Sequence, residues 1–568
     1  MLTKERSNKN FLTNDLSPEE IFTPEDFSDE HEMVVDLTYK FVTNEVMPEL
    51  TKIEEQDFSE TVRLMKKAGG LGLISADIPM DDGGLELGKV SATIISEVMA
   101  IGRSFSITFG GQTGIGALPI AYFGTEMQKK AYLPGILTGE RIAAYALTEP
   151  SSGTDAMSIK TTAVLSDNGG FYILNGEKQW ITNAAFANIF IVYAKVAGGK
   201  LTAFIVEKNY DGVSTGSEEK KMGLKGSSTR SLILENVQVP VENVIGEVGR
   251  GHTIAFNILN IGRHKLAATA LGIAKRAIEL GVKYANERQQ FGQRISNFPL
   301  IKNKIADMVI HTYVNESAVY RTAGAMQSGF NEMKQTGASF AQTIAQYAVE
   351  CSINKIMSTE VLDIVVDETL QIHGGNGYMT EYEIETLYRD SRVFRIFEGT
   401  NEINRILIAD TLSKGYDARP EMNIREEEGP LQREMLTLEL LKNLYHAAME
   451  AFQKNSLSHF NEEQETAAFI ADLVTGIYAA ESSILRTLKA VKTTGEERNR
   501  QKLDCTKVYI HQTSQQIALR ALNMIDHLGE EDRFVLITGR LIRSSQGDFI
   551  KTKRRIADFV INADKYKC

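Results

Sequence analysis

Near residue 400 the chain reads Phe394-Arg395-Ile396-Phe397-Glu398-Gly399-Thr400-Asn401-Glu402-Ile403-Asn404-Arg405, a lone carboxylate between two apolar residues and a glycine, followed by an amphipathic run with helical spacing. A glutamate hemmed in by Ile396 and Phe397 is partly desolvated, which raises its proton affinity toward the range where a carboxylate can take a proton and give it back. Gly399 lets the backbone pass close to a ligand. A plainer reading has Glu398 merely preceding a helix capped by Thr400 or Asn401, where the helix dipole favours acids. The segments upstream decide between the two.

Four of them concentrate polar groups. Tyr145-Ala146-Leu147-Thr148-Glu149-Pro150-Ser151-Ser152-Gly153-Thr154-Asp155 packs hydroxyls, a proline turn and a glycine into one irregular stretch, whose amides and hydroxyls suit a polar heterocycle. Lys178-Gln179-Trp180-Ile181-Thr182-Asn183 holds the single tryptophan; an indole beside Thr182 can cover the face of an aromatic ring system while the hydroxyl meets its edge. Taken alone, each has a plainer reading, since a lone tryptophan usually sits in a core and a Pro-Ser-Ser-Gly run is usually a turn. Asn286-Glu287-Arg288-Gln289-Gln290-Phe291-Gly292 closes a helix with an arginine able to pair with phosphate. Gln371-Ile372-His373-Gly374-Gly375-Asn376-Gly377-Tyr378 makes a bend that admits a diphosphate close to the backbone, without the strand and helix context of a Rossmann site.

The elements that must carry these segments follow from periodicity. From about Pro24 to Glu140 apolar residues recur at three and four, which predicts helices. Between Ala143 and Val248 short β-rich runs take over, punctuated by Asn168-Gly169-Gly170, Asn175-Gly176 and Gly198-Gly199 as hairpin signals, so this part is expected to be a small barrel or sandwich. Helical spacing returns near Ile254 and lasts to about Leu412. The expected fold class is therefore α+β, mainly α: a helical domain (1–142), a middle β domain (143–248), a helical bundle (249–412), a linker (413–430) containing Gly415, Pro420 and Glu426-Glu427-Glu428, and an extra helical domain (431–568).

Composition narrows the function. With 568 residues and 43% hydrophobic content the chain can bury several cores, and a formal net charge of -12 argues against nucleic-acid binding. Three cysteines far apart and nine histidines without HxxxH or HExxH spacing leave no expected disulfide framework or metal site. No stretch is expected to approach a membrane span, and Met1 to Asn10 shows neither a signal core nor an Arg-rich transit pattern, so a cytoplasmic location is the default expectation.

The five segments, in this order on a helix-β-helix plan, resemble the acyl-CoA dehydrogenases over roughly Phe27 to Leu412, and the long helical tail resembles that of the very-long-chain members. The resemblance implies a flavoprotein. Tyr145, Leu147, Thr148, Gly153, Trp180 and Thr182 would surround the isoalloxazine of FAD. Arg288, Gln290, Phe291, Gln371, Gly374 and Gly375 would hold the adenosine diphosphate of a neighbouring subunit's FAD, and Thr400 and Glu402 would touch the first subunit's FAD again. Thr154, Asn260, Arg263 and Gly399 match positions that meet the acyl-CoA, with Thr154 and Asn260 standing where serine and aspartate also occur. Glu398 would remove the α-proton of a saturated acyl-CoA as the β-hydrogen leaves as hydride to flavin N5, giving a trans-2-enoyl-CoA. The thioester carbonyl would be polarised by the Glu398 N–H and a flavin ribityl hydroxyl, a device typically worth several kcal/mol. Some relatives carry the base on an earlier helix beside the position of Arg263; here the neighbour is Gly262, which supports Glu398.

The resemblance also implies fatty acid β-oxidation, an electron-transferring flavoprotein as acceptor, and a homodimer at the membrane periphery. Glycines in Ile107-Thr108-Phe109-Gly110-Gly111-Gln112-Thr113-Gly114-Ile115-Gly116 either leave a tunnel for a long acyl tail or serve close helix packing. Lys551, Lys553, Arg554 and Arg555 either touch anionic lipid or, as such runs more often do, form a solvated helix face. An acyl-CoA oxidase of the same fold and a non-catalytic assembly relative are the competing readings.

Overall fold

The computed structural model describes residues 11–13, 16–416, 429–454, 460–529, 531–544 and 547–568. Residues 417–428, most of the expected linker, lie outside the described residues. The N-terminal helices include Asp29–Phe41, Phe58–Gly70, Gly88–Met99, Ser104–Gly110 and Glu126–Leu137. Their starts are written in the sequence: Thr125 and Gln128 cap each other reciprocally, the Gln128 N–H donating to Thr125 Oγ1 (3.2 Å) and the Thr125 N–H to Gln128 Oε1 (3.0 Å). Gly111–Gly116 forms a widened π-helical turn, a feature frequent beside functional sites.

Eight strands follow: β1 (Ala143–Ala146), β2 (Thr162–Leu165), β3 (Phe171–Thr182), β4 (Ile189–Val196), β5 (Lys200–Glu207), β6 (Val213–Thr215), β7 (Thr229–Pro240) and β8 (Val244–Ile245). Their order is β6-β7-β3-β2-β4-β5-β8, with β1 parallel to β4. The sheet curls around Phe190, Val192, Phe204 and Val237, while the end strands β6 and β8 are not paired to each other. β4 is buried on both faces because Ile189, Ile191 and Tyr193 alternate toward the helical domain. Two hairpin signals are met, Asn168-Gly169-Gly170 between β2 and β3 and Gly198-Gly199 between β4 and β5. The third is corrected: Asn175-Gly176 lies inside β3, where the ladder to β7 shifts register. The glycine serves close approach there, since a Cβ on Gly176 would lie 2.4 Å from Thr161 Oγ1.

Helices Gly251–Glu287, Pro299–Thr336, Ala348–His373 and Asn401–Lys414 form the next bundle, and Gln432–Lys454, Gln464–Thr494, Arg500–Leu522, Glu531–Ser544 and Phe549–Ala563 the tail. One apolar core runs through both: Ile278, Met308, Ile353 and Leu362 are continuous with Leu441, Ile470, Val508 and Ile556. Helix Gln464–Thr494 corrects one expectation. It is long and apolar enough to cross a membrane by length and composition, but most of that stretch is buried against its neighbours. The basic cluster is largely spoken for, Lys553 by Asp307 (2.7 Å) and Arg555 by Asp504 (3.0 Å). Cys505 and Cys568 are free thiols whose sulfurs nonetheless meet at 3.9 Å.

The chain's early residues are fastened to this tail. Arg486 donates to Glu25 (2.9 Å) and to Glu316 (2.7 Å), and Lys489 pairs with Asp26 (2.6 Å).

Candidate active site

Glu398 and Gly399 are successive residues in the left-handed region, φ 56° and 84°. For a glutamate this geometry stores about 1–3 kcal/mol and persists only where the surroundings impose it. Here Arg263 Nε donates to the Glu398 carbonyl (3.2 Å), while Lys355 Nζ (2.8 Å) and Asn404 Nδ2 (2.9 Å) donate to the Gly399 carbonyl. Thr400 caps the Asn401–Lys414 helix by accepting from the Ile403 N–H (3.3 Å). The capping and acid–base readings of this segment thus describe different residues of it.

The Glu398 carboxylate lies against Gly262, where a Cβ would stand 2.9 Å from Oε2, and that oxygen is buried without a hydrogen-bond partner. Burial raises its proton affinity, opposed by the charges of Arg263 and then Lys355. The desolvation expected from Ile396 and Phe397 comes from only one of them. Phe397 lines the cavity, but Ile396 is 51% exposed, and the helix carrying Gly262 and Arg263 does the rest. The cavity continues past Thr182, Gly110, Gly114 and the Lys265 stem toward Ser96 and Met99.

The glycine run divides between its two readings. Gly110 has open space at its Cβ position, and Gly114 meets only Lys265 Cδ at 3.7 Å. Gly116 is a packing glycine, its Cβ position 2.9 Å from Ala143 Cβ.

Two expected segments of the β domain come together. The Gln179 N–H donates to the Thr148 carbonyl (2.9 Å), and the buried Lys178 donates to Leu147 O (3.2 Å) and Glu149 Oε1 (2.7 Å). Burial pulls the Lys178 amine down to about 8, with Glu149 opposing. Trp180 is not a core residue: it is 59% exposed with φ 58°, two residues before Thr182 on the same strand. Gly153 has open space where a Cβ would stand, and Thr154 beside it is exposed. The buried Tyr145 hydroxyl is close enough to feel the Glu398 charge. Leu147 is buried, and Glu402 is exposed in the first turn of its helix. Asn260 accepts from Arg263 Nη1 (2.8 Å), so it orients the arginine.

A second group gathers at the far end of helix Gly251–Glu287. Tyr284 stacks on His373 with ring centroids 4.2 Å apart, bringing exposed Arg288, Gln290 and Phe291 to the bend with exposed Gln371, Gly374 and Gly375. Phe291 is 93% exposed, and both glycines have open space at their Cβ positions. Arg263 and Arg288 are separated by about 38 Å along this helix, at 1.5 Å per residue. Sequence reasoning missed Lys355, Asn404 and the Lys178–Glu149 pair; the available signal was a lysine on an otherwise apolar face, Lys355 between Ile353 and Ile356.

A partly desolvated carboxylate and a threonine lining one cavity, with an exposed indole two residues before that threonine on the same strand, are the parts of a flavin-dependent oxidoreductase acting beside a weakly acidic C–H. Family models match throughout: acyl-CoA dehydrogenase N-terminal domain over 28–140, middle domain over 144–237, and C-terminal domains over 249–413 and 442–540. The chain belongs to the acyl-CoA dehydrogenases, enzymes that use FAD. It is 46% identical to a probable acyl-CoA dehydrogenase of Bacillus subtilis, covering 98% of each chain. The crystal structure of an acyl-CoA dehydrogenase complexed with FAD from Bacillus anthracis superposes with a TM-score of 0.95 at 48% identity, covering 99% of this chain and 100% of that one. The very long-chain specific acyl-CoA dehydrogenase of Rattus norvegicus is 42% identical over 63% of this chain, a match spanning 53% of that protein's length.

The residues present fit FAD. The exposed Trp180 ring beside Thr182 and the open backbone at Gly153 suit an isoalloxazine, and the open backbone at Gly374 and Gly375 beside Arg288 suits a diphosphate.

Proposed function

We propose that this enzyme oxidises long-chain fatty acyl-CoA to trans-2-enoyl-CoA in fatty acid β-oxidation, with Glu398 as the base. The observation that carries the reading is the Glu398 Oε2 atom, buried without a partner in a cavity that also holds Thr182. Its free lone pairs are available to an α-proton, and its raised proton affinity suits a group that must take that proton at neutral pH. Arg263 and Lys355 hold the turn that delivers the carboxylate. The Glu398 N–H would donate to the thioester carbonyl and stabilise the charge that builds there. FAD, when bound between Trp180, Thr182 and the 145–153 segment, supplies N5 as acceptor for the β-hydrogen leaving as hydride. The substrate thereby loses a proton and a hydride and gains one C=C bond.

The open wall at Gly110 and Gly114 supports a long acyl tail. The separation between the Arg263 and Arg288 groups exceeds the reach of one dinucleotide, which supports a homodimer in which Arg288, Gln290, Phe291, Gln371, Gly374 and Gly375 serve the partner's FAD. Electrons then pass to an electron-transferring flavoprotein. Anaerobic titration of the FAD-loaded protein with acyl-CoAs of graded length tests the cofactor, the reaction and the chain preference together. Loss of flavin absorbance, greatest for long chains, is expected. No bleaching with any acyl-CoA overturns the reading, and peroxide formed in air without another acceptor makes the enzyme an oxidase.

A further inference from the structure

Among the described residues five lysines are buried: Lys89, Lys178, Lys265, Lys355 and Lys442. A buried ammonium is costly unless it meets a carboxylate. Four of the five do so, Lys89 and Lys265 at Asp77, Lys178 at Glu149 and Lys442 at Glu481. Among the described residues Lys355 meets none within ion-pair distance. Its side chain is fully buried, and Nζ donates to the Gly399 carbonyl (2.8 Å) and to Asn401 Oδ1 (2.7 Å).

The first acceptor belongs to the turn that carries Glu398, and the second is the first residue of the helix that follows it. With Arg263 on the Glu398 carbonyl, two cations grip consecutive carbonyls of a left-handed pair. Asn401 is itself fixed, its Nδ2 donating to Thr359 Oγ1 (3.2 Å) and Glu360 Oε1 (3.2 Å), so Lys355 is tied to a rigid frame. Resting on the reading of Glu398 as base, we propose that Lys355 is a positioning residue: it fixes the 398–399 turn through Gly399 and places a positive charge beneath the carboxylate. Burial pulls the amine down to about 7, and because a neutral amine keeps two donors, the grip on both acceptors outlasts the charge.

Lys355→Met removes both donors and the charge with little change in volume. It is expected to keep its FAD content, to lower kcat about 100-fold with KM nearly unchanged, and to move the acidic limb of the kcat/KM profile to higher pH, because Glu398 loses a charge that favours its ionised form. Lys442→Met, which strips an equally buried lysine far from the turn, is expected to lose thermal stability while leaving that limb in place. Should Lys355→Met fail to fold, Lys355→Gln, which keeps a donor without the charge, must still move the limb. A crystal structure of either Lys355 variant should show the 398–399 turn rotated. Wild-type kcat and an unmoved limb in the Lys355 variants overturn the proposal. If Glu398→Gln also turns over normally, the base assignment itself has failed; if it is dead while the Lys355 variants are normal, only the positioning role falls.

Discussion

At the scale of single residues, Glu398 is tuned by opposition: burial lifts its proton affinity, and Arg263 and Lys355 restrain it. A folded-state pKa raised above the unfolded value stabilises the fold only below the unfolded pKa and is lost as pH rises, so at neutral pH the ionised carboxylate weighs against folding. Glu398→Gln is therefore expected to lower kcat by about 10²–10⁴ while leaving the melting temperature at neutral pH equal or higher, measured by flavin bleaching and calorimetry on one preparation. A variant that retains turnover, or that melts much lower, contradicts this account. The desolvation of Glu398 was legible from its setting in the sequence, but its cause was not. Adjacency suggested Ile396, which faces out, whereas the closing wall is Gly262, 136 positions earlier, where a side chain would strike the carboxylate.

At the scale of elements, the change of period at residue 143 was plain, and so were two of three hairpins. Asn175-Gly176 misled because a turn dipeptide and a strand glycine admitting a neighbour's backbone read alike until the partner Thr161 is known. The glycine run held two answers at once, and geometry separates them. Gly110→Val is expected to reduce bleaching by long acyl-CoAs more than by short ones, with little loss of stability, because it fills open cavity wall. Gly116→Ala should instead lower stability by about 1–3 kcal/mol, read as a urea midpoint, because its methyl meets Ala143. Equal chain-length profiles for Gly110→Val and wild type would remove the tunnel. Lys355 stayed hidden because a lysine in a helix is read as exposed unless the whole helix is known to be enclosed.

At the scale of the molecule, the expected extra domain shares its core with the bundle that holds Glu398, a continuity that periodicity cannot report because it reveals apolar faces and not what covers them. Arg486 is the polar counterpart of that continuity. Against the upward push of burial it helps hold Glu25 and Glu316 below the usual carboxylate range, so their contribution is present above that range and lost as pH falls through the depressed values. Arg486→Met takes their shared cation from both acids, leaving only Lys275 at Glu316 and Lys502 at Glu25, and is expected to cost about 3 kcal/mol near neutral pH. The deficit should narrow in acid, where protonation discharges them; a deficit constant with pH would mean that lost packing over Tyr313, not charge, is responsible.

Glu25 and Arg486 lie 461 positions apart. During synthesis Glu25 therefore leaves the ribosome long before Arg486, and this buckle stays undone until most of the polypeptide has been made.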